Sequence, residues 1–404
     1  MESLQEGKSP TGVSLSTKPK YHMGVTLSSL TLPSEKGLYQ TTIVQPNTTL
    51  PPSYSTRLAY PNCSLPVHNQ GECGSCWAVT AVDMLGDRAC IQTGIKFPFS
   101  PQPLISCVTR PNGADEDILH PFSKPECFSL GPAKVLKCAC GDAPTQVPPS
   151  GCFGNSMMAA WDYLKNYGTV PFLDMGPYAN QVSCKNFCTM SLGFPSFSES
   201  VYLTLKTRGL QEAYHLADPD IGLATNIEKM KIDLLAFGPI QGAFSVYQSF
   251  FDFFEKYPTG IYAMDFSSHL QGGHTSKIVG WGVQKDEVSN LKSSEPIEYW
   301  LLQNTWGPDW GDKGFFKMAM TKPKDLPKLT QAKAFVVEYN AIATILKDPD
   351  AYRRLIVPKI LPIKLKKSKA EKHIGFWIGA VLTGIVLLLV LVWVGWWSKS
   401  IDKT

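Results

Sequence analysis

The chain has 404 residues, of which 44% are hydrophobic and 18% charged, with a formal net charge of +4. Those values fit one large or two ordinary folded domains and exclude an intrinsically disordered chain. The small positive excess, part of it in a lysine-rich stretch near the C-terminus, makes no basic face, so nucleic acid is not an expected partner.

Residues 1–49 are rich in Ser, Thr, Pro and Gly and show little helical periodicity. Their start, "MESLQEGKSPTGVSLSTK", has no apolar run, so no signal peptide is visible. "LPPSYSTRLAYPNC" then begins a compact region. In "WAVTAVDMLGDRACIQ", Ala78, Val82, Leu85 and Ala89 recur at spacings of three and four, which predicts an amphipathic helix over 77–92 starting at or just before Cys76. Further helices are predicted at 155–167 and 225–236. After Gly238-Pro239 the pattern turns to short β-type runs, "IQGAFSVY", "HTSKIVGWGV", "IEYWLLQNTW" and "GFFKMAM". Helices first and strands later predict an α+β fold with the two kinds of element in separate halves, and a cleft between them is a natural place for a site.

The chain has eleven cysteines, at 63, 73, 76, 90, 107, 127, 138, 140, 152, 184 and 188. Their clustering in one half suits a disulfide framework with one thiol left over, in an oxidising compartment. Zinc is the rival reading, fed by the pairs Cys138–Cys140 and Cys184–Cys188. The sequons at Asn47 and Asn62 agree with an oxidising compartment. Residues 344–373 read as a charged stalk, and "IGFWIGAVLTGIVLLLVLVWVGWW" over 374–397 as a transmembrane helix. At about 1.5 Å per residue it would cross a bilayer core of about 30 Å. Trp377, Trp393, Trp396 and Trp397 would sit at the interfaces, and residues 398–404 would form a short tail. The two topology signals conflict. Lys364, Lys366, Lys367, Lys369 and Lys372 on the near flank place the large domain in the cytosol, whereas a cystine-rich domain needs an oxidising lumen. The cysteines weigh more, so the expectation is a single-pass membrane protein. Its domain would lie in a lysosome-like or secretory lumen, or outside the cell.

The chemistry concentrates in three places. "NQGECGSCW" holds two cysteines three apart, and of these Cys76 stands at a predicted helix N-terminus, whose partial positive charge favours a thiolate. "GGHTSKIVGWG" offers His274, and "QNTWGPDWGDKGFF" offers Asn304 beside Trp306. Cys, His and Asn in that order make a nucleophile, a base and a group that orients the base. A redox C-x-x-C formed by Cys73 and Cys76 is the rival reading, but such a motif needs no downstream His and Asn blocks.

These stretches resemble the papain-like cysteine peptidases, and the cathepsin B branch most closely, over about 50–343. "PIQGAFSVY" and "LPPSYSTR" are similar to segments of the same branch. The resemblance implies a two-lobed fold, helical on one side and β-barrel-like on the other, and a cysteine endopeptidase. It implies attack by Cys76, proton transfer by His274, orientation of His274 by Asn304, and screening of that contact by Trp306. The Gln70 side chain and the Cys76 backbone N–H would form an oxyanion hole. It further implies the pairs Cys73–Cys152 and Cys63–Cys90, and a bridge from Cys107 to Cys184 or Cys188. Residues 1–49 stand where an inhibitory propeptide would be. No cofactor and no metal are implied; the partners are protein or peptide substrates and a membrane, and the enzyme is expected to be a monomer.

The sequence also departs from that family. His274 follows the nucleophile by about 200 residues, against about 130–150 in papain-type enzymes. Much of the excess is an insertion at about 108–150. No adjacent histidine pair is present to build an occluding loop, which predicts endopeptidase without strong carboxydipeptidase activity. The family's glycine-rich turn reads Gly151-Cys152-Phe153-Gly154-Asn155, placing Gly154 and Asn155 at the substrate backbone. Glu338 matches the acid at the floor of an S2 pocket, or else is a solvated surface carboxylate. Two other functions remain open, a catalytically silent membrane adaptor and a peptide ligase or acyl transferase on the same fold.

Overall fold

The computed structural model describes residues 23, 49–108, 125–130, 135–140, 152, 154–169, 211–217, 222–285, 288–291, 295–322 and 336–360. Helix α2 (Cys76–Thr93) follows the short strand β1 (Tyr54–Ser55) and helix α1 (Thr56–Ala59). It ends on Gly94, whose φ of 77° and N–H bond to Cys90 O are those of a left-handed helix cap. Its first fifteen residues are buried. The amphipathic expectation is corrected here: Asp83, Asp87 and Arg88 are buried too, because each has a charged partner from another element. Periodicity cannot tell a charge that meets water from one that meets a partner.

Around α2 lie helices α3 (Gln102–Cys107) and α4 (Met157–Tyr167), the latter capped by Ser156, which accepts from Ala159 N. Opposite them is an eight-stranded sheet. Its strands are β1, β4 (Gln211–His215), β5 (Ile240–Tyr247), β6 (Ile261–Tyr262), β7 (Leu270–Gln284), β8 (Ile297–Gln303), β9 (Phe315–Ala319) and β10 (Ala341–Leu346). The row runs β4-β10-β5-β7-β8-β9-β6, with β1 added to β7; β6 and β9 pair in parallel and the rest antiparallel. Strands β2 (Pro125–Leu130) and β3 (Val135–Cys140) form a separate antiparallel pair inside the expected insertion. Helix α5 (Leu223–Phe237) precedes β5, α6 (Gln248–Lys256) follows it, and α7 (Pro349–Ile360) begins where a stalk was expected.

The α+β arrangement is therefore present, and the predicted strands over 240–320 are all found, β7 longer than its sequence run. Helix α6 was not predicted. Strand β5 loses register at Val246/Tyr247, and the aromatics Phe250, Phe253 and Phe254 that follow are spaced for one helical face. Strand β7 bends at a bulge between Ile278 and Gly280, where β1 crosses closely. A Cβ on Gly280 would lie 2.2 Å from Tyr54 O. Gly280→Ala is thus expected to destabilise the fold by about 1–3 kcal/mol, read from chemical denaturation, since backbone rather than a flexible side chain must yield.

The transmembrane helix is corrected. Among the described residues no helix is long and apolar enough to cross a membrane. A span needs about 20 consecutive apolar residues, and the longest described helix, α2, has 18 residues interrupted by Asp83, Asp87 and Arg88. No described helix supports the single-pass localisation or the membrane as a partner. Residues 374–397 themselves lie outside the described residues, as do Asn47, Cys184, Cys188 and most of 1–49; Asn62 is exposed. The side chains of Cys107, Cys127, Cys138 and Cys140, on which the further bridges and the zinc alternative rest, likewise lie outside the described residues.

Candidate active site

Cys76 is the first residue of α2 and is fully buried. The turn ahead of it is pinned twice to the segment carrying Gly154: the disulfide Cys73–Cys152 closes it, and Gly74 N donates to Cys152 O at 2.8 Å. A second disulfide joins Cys63 to Cys90 near the far end of the helix. Cys76 belongs to neither and keeps its thiol. Ala78 and Val79 donate to Ser75 O, so the helix starts squarely at the cysteine and directs its positive end there.

Strand β7 brings His274 to this helix end. The adjacent Thr275 Oγ1 donates to Cys76 O at 3.0 Å and stands 3.1 Å from Thr80 Oγ1. His274 is fully buried, and its Nε2 is 2.8 Å from Asn304 Oδ1. Thr305 N also donates to that oxygen, at 2.8 Å, which identifies the Asn304 atom facing the ring as the acceptor. In a neutral ring Nε2 must then carry the hydrogen, leaving the Nδ1 lone pair to receive a proton. Nδ1 has no hydrogen-bond partner among the described residues. Burial pushes the imidazole down to about 4, against the opposing pull of Asn304. Alone in this site, His274 is a neutral base.

Trp306 lies across His274, ring centroids 4.6 Å apart, and is itself held by Phe250, Phe251 and Trp310. This aromatic block packs over the ring of His274, and both His274 and Asn304 are buried. Gln70 is fixed at both ends: its Nε2 donates to Cys73 O at 2.8 Å, and its Oε1 accepts from Thr305 Oγ1. Its backbone N donates to Thr305 O at 2.8 Å, and the neighbouring Asn69 pairs with Trp306. Cys76, His274, Asn304, Trp306 and Gln70, scattered through the sequence, thus meet at one junction of α2 and the sheet.

Gly154 is buried with φ 87°, the left-handed region, whereas Asn155 is not among the non-glycine residues with positive φ; its Oδ1 accepts from Ser156 N. Tolerance of unusual φ is therefore required of the glycine. Glu338 is fully buried, which corrects the solvated alternative; its Oε1 accepts from Trp300 Nε1 and Thr321 N, and burial raises its carboxyl. These partners come from β8 and from the segment just after β9, and no hydrogen bond joins Glu338 to Cys76, His274 or Asn304 among the described residues. Thr275 and Thr305 went unnoticed in the sequence. They lie inside the motifs, but nothing local shows that their hydroxyls reach Cys76 and Gln70. Met23 packs beside Gly272, two residues ahead of His274; its Cβ and Cγ lie 3.0 Å from where a Cβ on Gly272 would be.

The family described as papain family cysteine protease matches residues 50–120 and 113–334. The chain belongs to that family. Among its relatives is a cathepsin B-like cysteine proteinase of Schistosoma japonicum, 28% identical over 291 residues, covering 67% of this chain and 69% of the relative. Cathepsin B-like cysteine proteinase 5 of Caenorhabditis elegans is 27% identical over 292 residues, covering 67% and 70%. A gut-specific cysteine proteinase of the same organism is 29% identical over 281 residues, covering 67% and 68%. Among solved structures, procathepsin B S9 from Trypanosoma congolense aligns over 81% of this chain and 87% of its own, with 21% identity and a TM-score of 0.49. This papain-family cysteine protease is similar to cathepsin B-like proteinases, and proteins or peptides are its substrates.

Proposed function

We propose that the chain is a cysteine endopeptidase in which Cys76 is the nucleophile and His274 the proton carrier. The observation that carries this reading is the tautomer: Asn304 and Thr305 leave His274 Nδ1 as the bare nitrogen, on the strand bonded to the start of α2. The thiol proton passes to Nδ1 as the sulfur is ionised. An isolated imidazolium is disfavoured in so buried a site, so thiolate and imidazolium form as a pair, each supplying the other's counter-charge. The sulfur attacks the peptide carbonyl, and the carbonyl oxygen takes the negative charge. His274 returns the proton to the leaving amine, giving an acyl-enzyme. Water then attacks it, again losing a proton to His274, and the C–S bond breaks.

The Gln70 carboxamide and the Cys76 N–H are the proposed donors to the oxyanion, with Trp306 as the shield. Gln70→Ala is expected to lower kcat by about 10²–10³ with KM little changed, because the donor acts mainly in the transition state. A steady-state kcat within threefold of wild type would remove Gln70 from this role.

Residues 50–343 are read as the peptidase domain and 1–49 as a propeptide-like segment, for which Met23 beside Gly272 is the support. Gly154, Asn155 and Glu338 are assigned to substrate binding on the family pattern. Without a histidine pair to hold a substrate C-terminus, internal bonds should be cut in preference to release of C-terminal dipeptides. Peptide mapping with capped and uncapped substrates tests this, together with labelling of Cys76 by a thiol-directed epoxide. Faster dipeptide release, or an unlabelled Cys76, would overturn the corresponding assignment.

A further inference from the structure

Cys76, Thr80, Asp83 and Asp87 are spaced four, three and four apart and so share one face of α2. Strand β7 answers the first pair with Thr275 and the last residue with Lys277, whose Nζ lies 2.6 Å from Asp87 Oδ2. Asp87 Oδ1 also accepts from Leu65 N. Asp83 is buried as well, and its charged neighbour comes from the Gln70 segment: His68 Nδ1 is 2.9 Å from Asp83.

We infer that His68 is a positioning residue, which in its protonated form ties the Gln70 segment to the nucleophile's helix through Asp83. This rests on the reading of Gln70 given above. His68 is two residues before Gln70, and its own carbonyl accepts from Gly307 N at 2.9 Å. Asn69 pairs with Trp306, and Gln70 with Thr305, so segment 68–70 is stitched along the turn that carries Asn304. Backbone bonds hold that segment to the sheet side, and the His68–Asp83 contact holds it to α2.

The groups facing His68 are Asp83 and Asp87 from α2 and Lys277 from β7. With His68 protonated, two carboxylates meet two cations. With it neutral, one buried negative charge is left in excess, an arrangement that burial penalises. The Asp83 carboxylate accordingly raises His68 above its ordinary value, against burial and Lys277. The His68 side chain keeps 20% of its surface exposed, which gives its proton a path to solvent. A raised value means that the tie is complete below the ordinary histidine pKa and is lost as pH rises through the folded one.

The test compares kcat and KM against pH for wild type, His68→Arg and His68→Gln. Any pH dependence set by His274 is common to wild type and His68→Arg, so it cancels in the ratio of their kcat values. The kcat of His68→Arg divided by that of wild type is expected to rise by about threefold or more as pH increases, with its midpoint at the pKa of His68 measured by NMR, while KM stays within about twofold. His68→Gln, lacking the charge, should show kcat about tenfold below wild type at acid pH. A ratio flat across the range, or full acid-side kcat in His68→Gln, would overturn the inference. Should the arginine variant fail to fold, NMR of the wild type decides. The Gln70 side-chain amide resonances must move with the His68 titration, and their indifference to it refutes the tie. Failure of the oxyanion reading shows separately, as an undiminished kcat in Gln70→Ala beside an intact His68–Gln70 coupling.

Discussion

Exchanging Cys76 for alanine is expected to lower kcat for peptide hydrolysis by about four to six orders of magnitude, the range seen when a covalent nucleophile is removed. The reason is geometric as much as chemical. Among the described residues His274 has Nε2 committed to Asn304 and no hydrogen-bond partner at Nδ1, the atom proposed to take the Cys76 proton. Without the sulfur there is neither an attacking atom nor a source of the proton. The fold should hardly notice: Cys76 is buried but small, and outside both disulfides. A thermal midpoint within about 4 °C of wild type is expected, equivalent to roughly 1 kcal/mol. Hydrolysis at more than about one hundredth of the wild-type rate would mean that the nucleophile is elsewhere.

The second large effect is on stability. Arg88→Met is expected to cost about 3–5 kcal/mol, because it leaves a buried carboxylate without its partner. Arg88 has no exposed surface. Its Nε donates to Pro239 O at 2.6 Å, one Nη to Thr344 O at 2.7 Å and to Tyr214 Oη at 3.3 Å, and the other Nη to Gly238 O and to Asp233. Tyr214 donates in turn to Asp233. One guanidinium thus joins the middle of α2 to β4, α5, β10 and the turn before β5. Lysine presents a single point charge and cannot meet this fork, so Arg88→Lys should not restore stability. Arg88→Met combined with Asp233→Leu should recover a large part of the loss, since the uncompensated charge is gone. The measurement is urea unfolding of all four proteins. A loss below about 1 kcal/mol in Arg88→Met, or no recovery in the double variant, would contradict the account.

The two effects differ in how far the sequence announces them. Cys76 could be singled out because its neighbours, the glycines and Trp77, form a local pattern, and because the helix start is written in the spacing that follows. Arg88 sits twelve residues further along the same helix and looks like any polar residue on a solvent face. Its partners at 214, 233, 238, 239 and 344 have no local relation to it. His68 and Asp83 are hidden in the same way, since each alone is an unremarkable polar residue near a helix. Helix α6 was missed for a different reason: "SFFDFFEK" is aromatic enough to suit a strand, and the break in β5 register decides the matter.

By itself the sequence determined the order of elements, the helix that begins at Cys76, most strands of the sheet, and the residues that carry the proposed chemistry. Each of these depends on side chains within a turn or a strand's length of one another, where spacing alone sets which face a residue occupies. Only the tertiary structure decided which nitrogen of His274 is bare, that Glu338 is buried, that the charges on α2 are paired, and that His68 reaches Asp83. Those facts depend on contacts between residues distant along the chain. Whether such a polar group meets water or a partner is settled by packing, which no local pattern records.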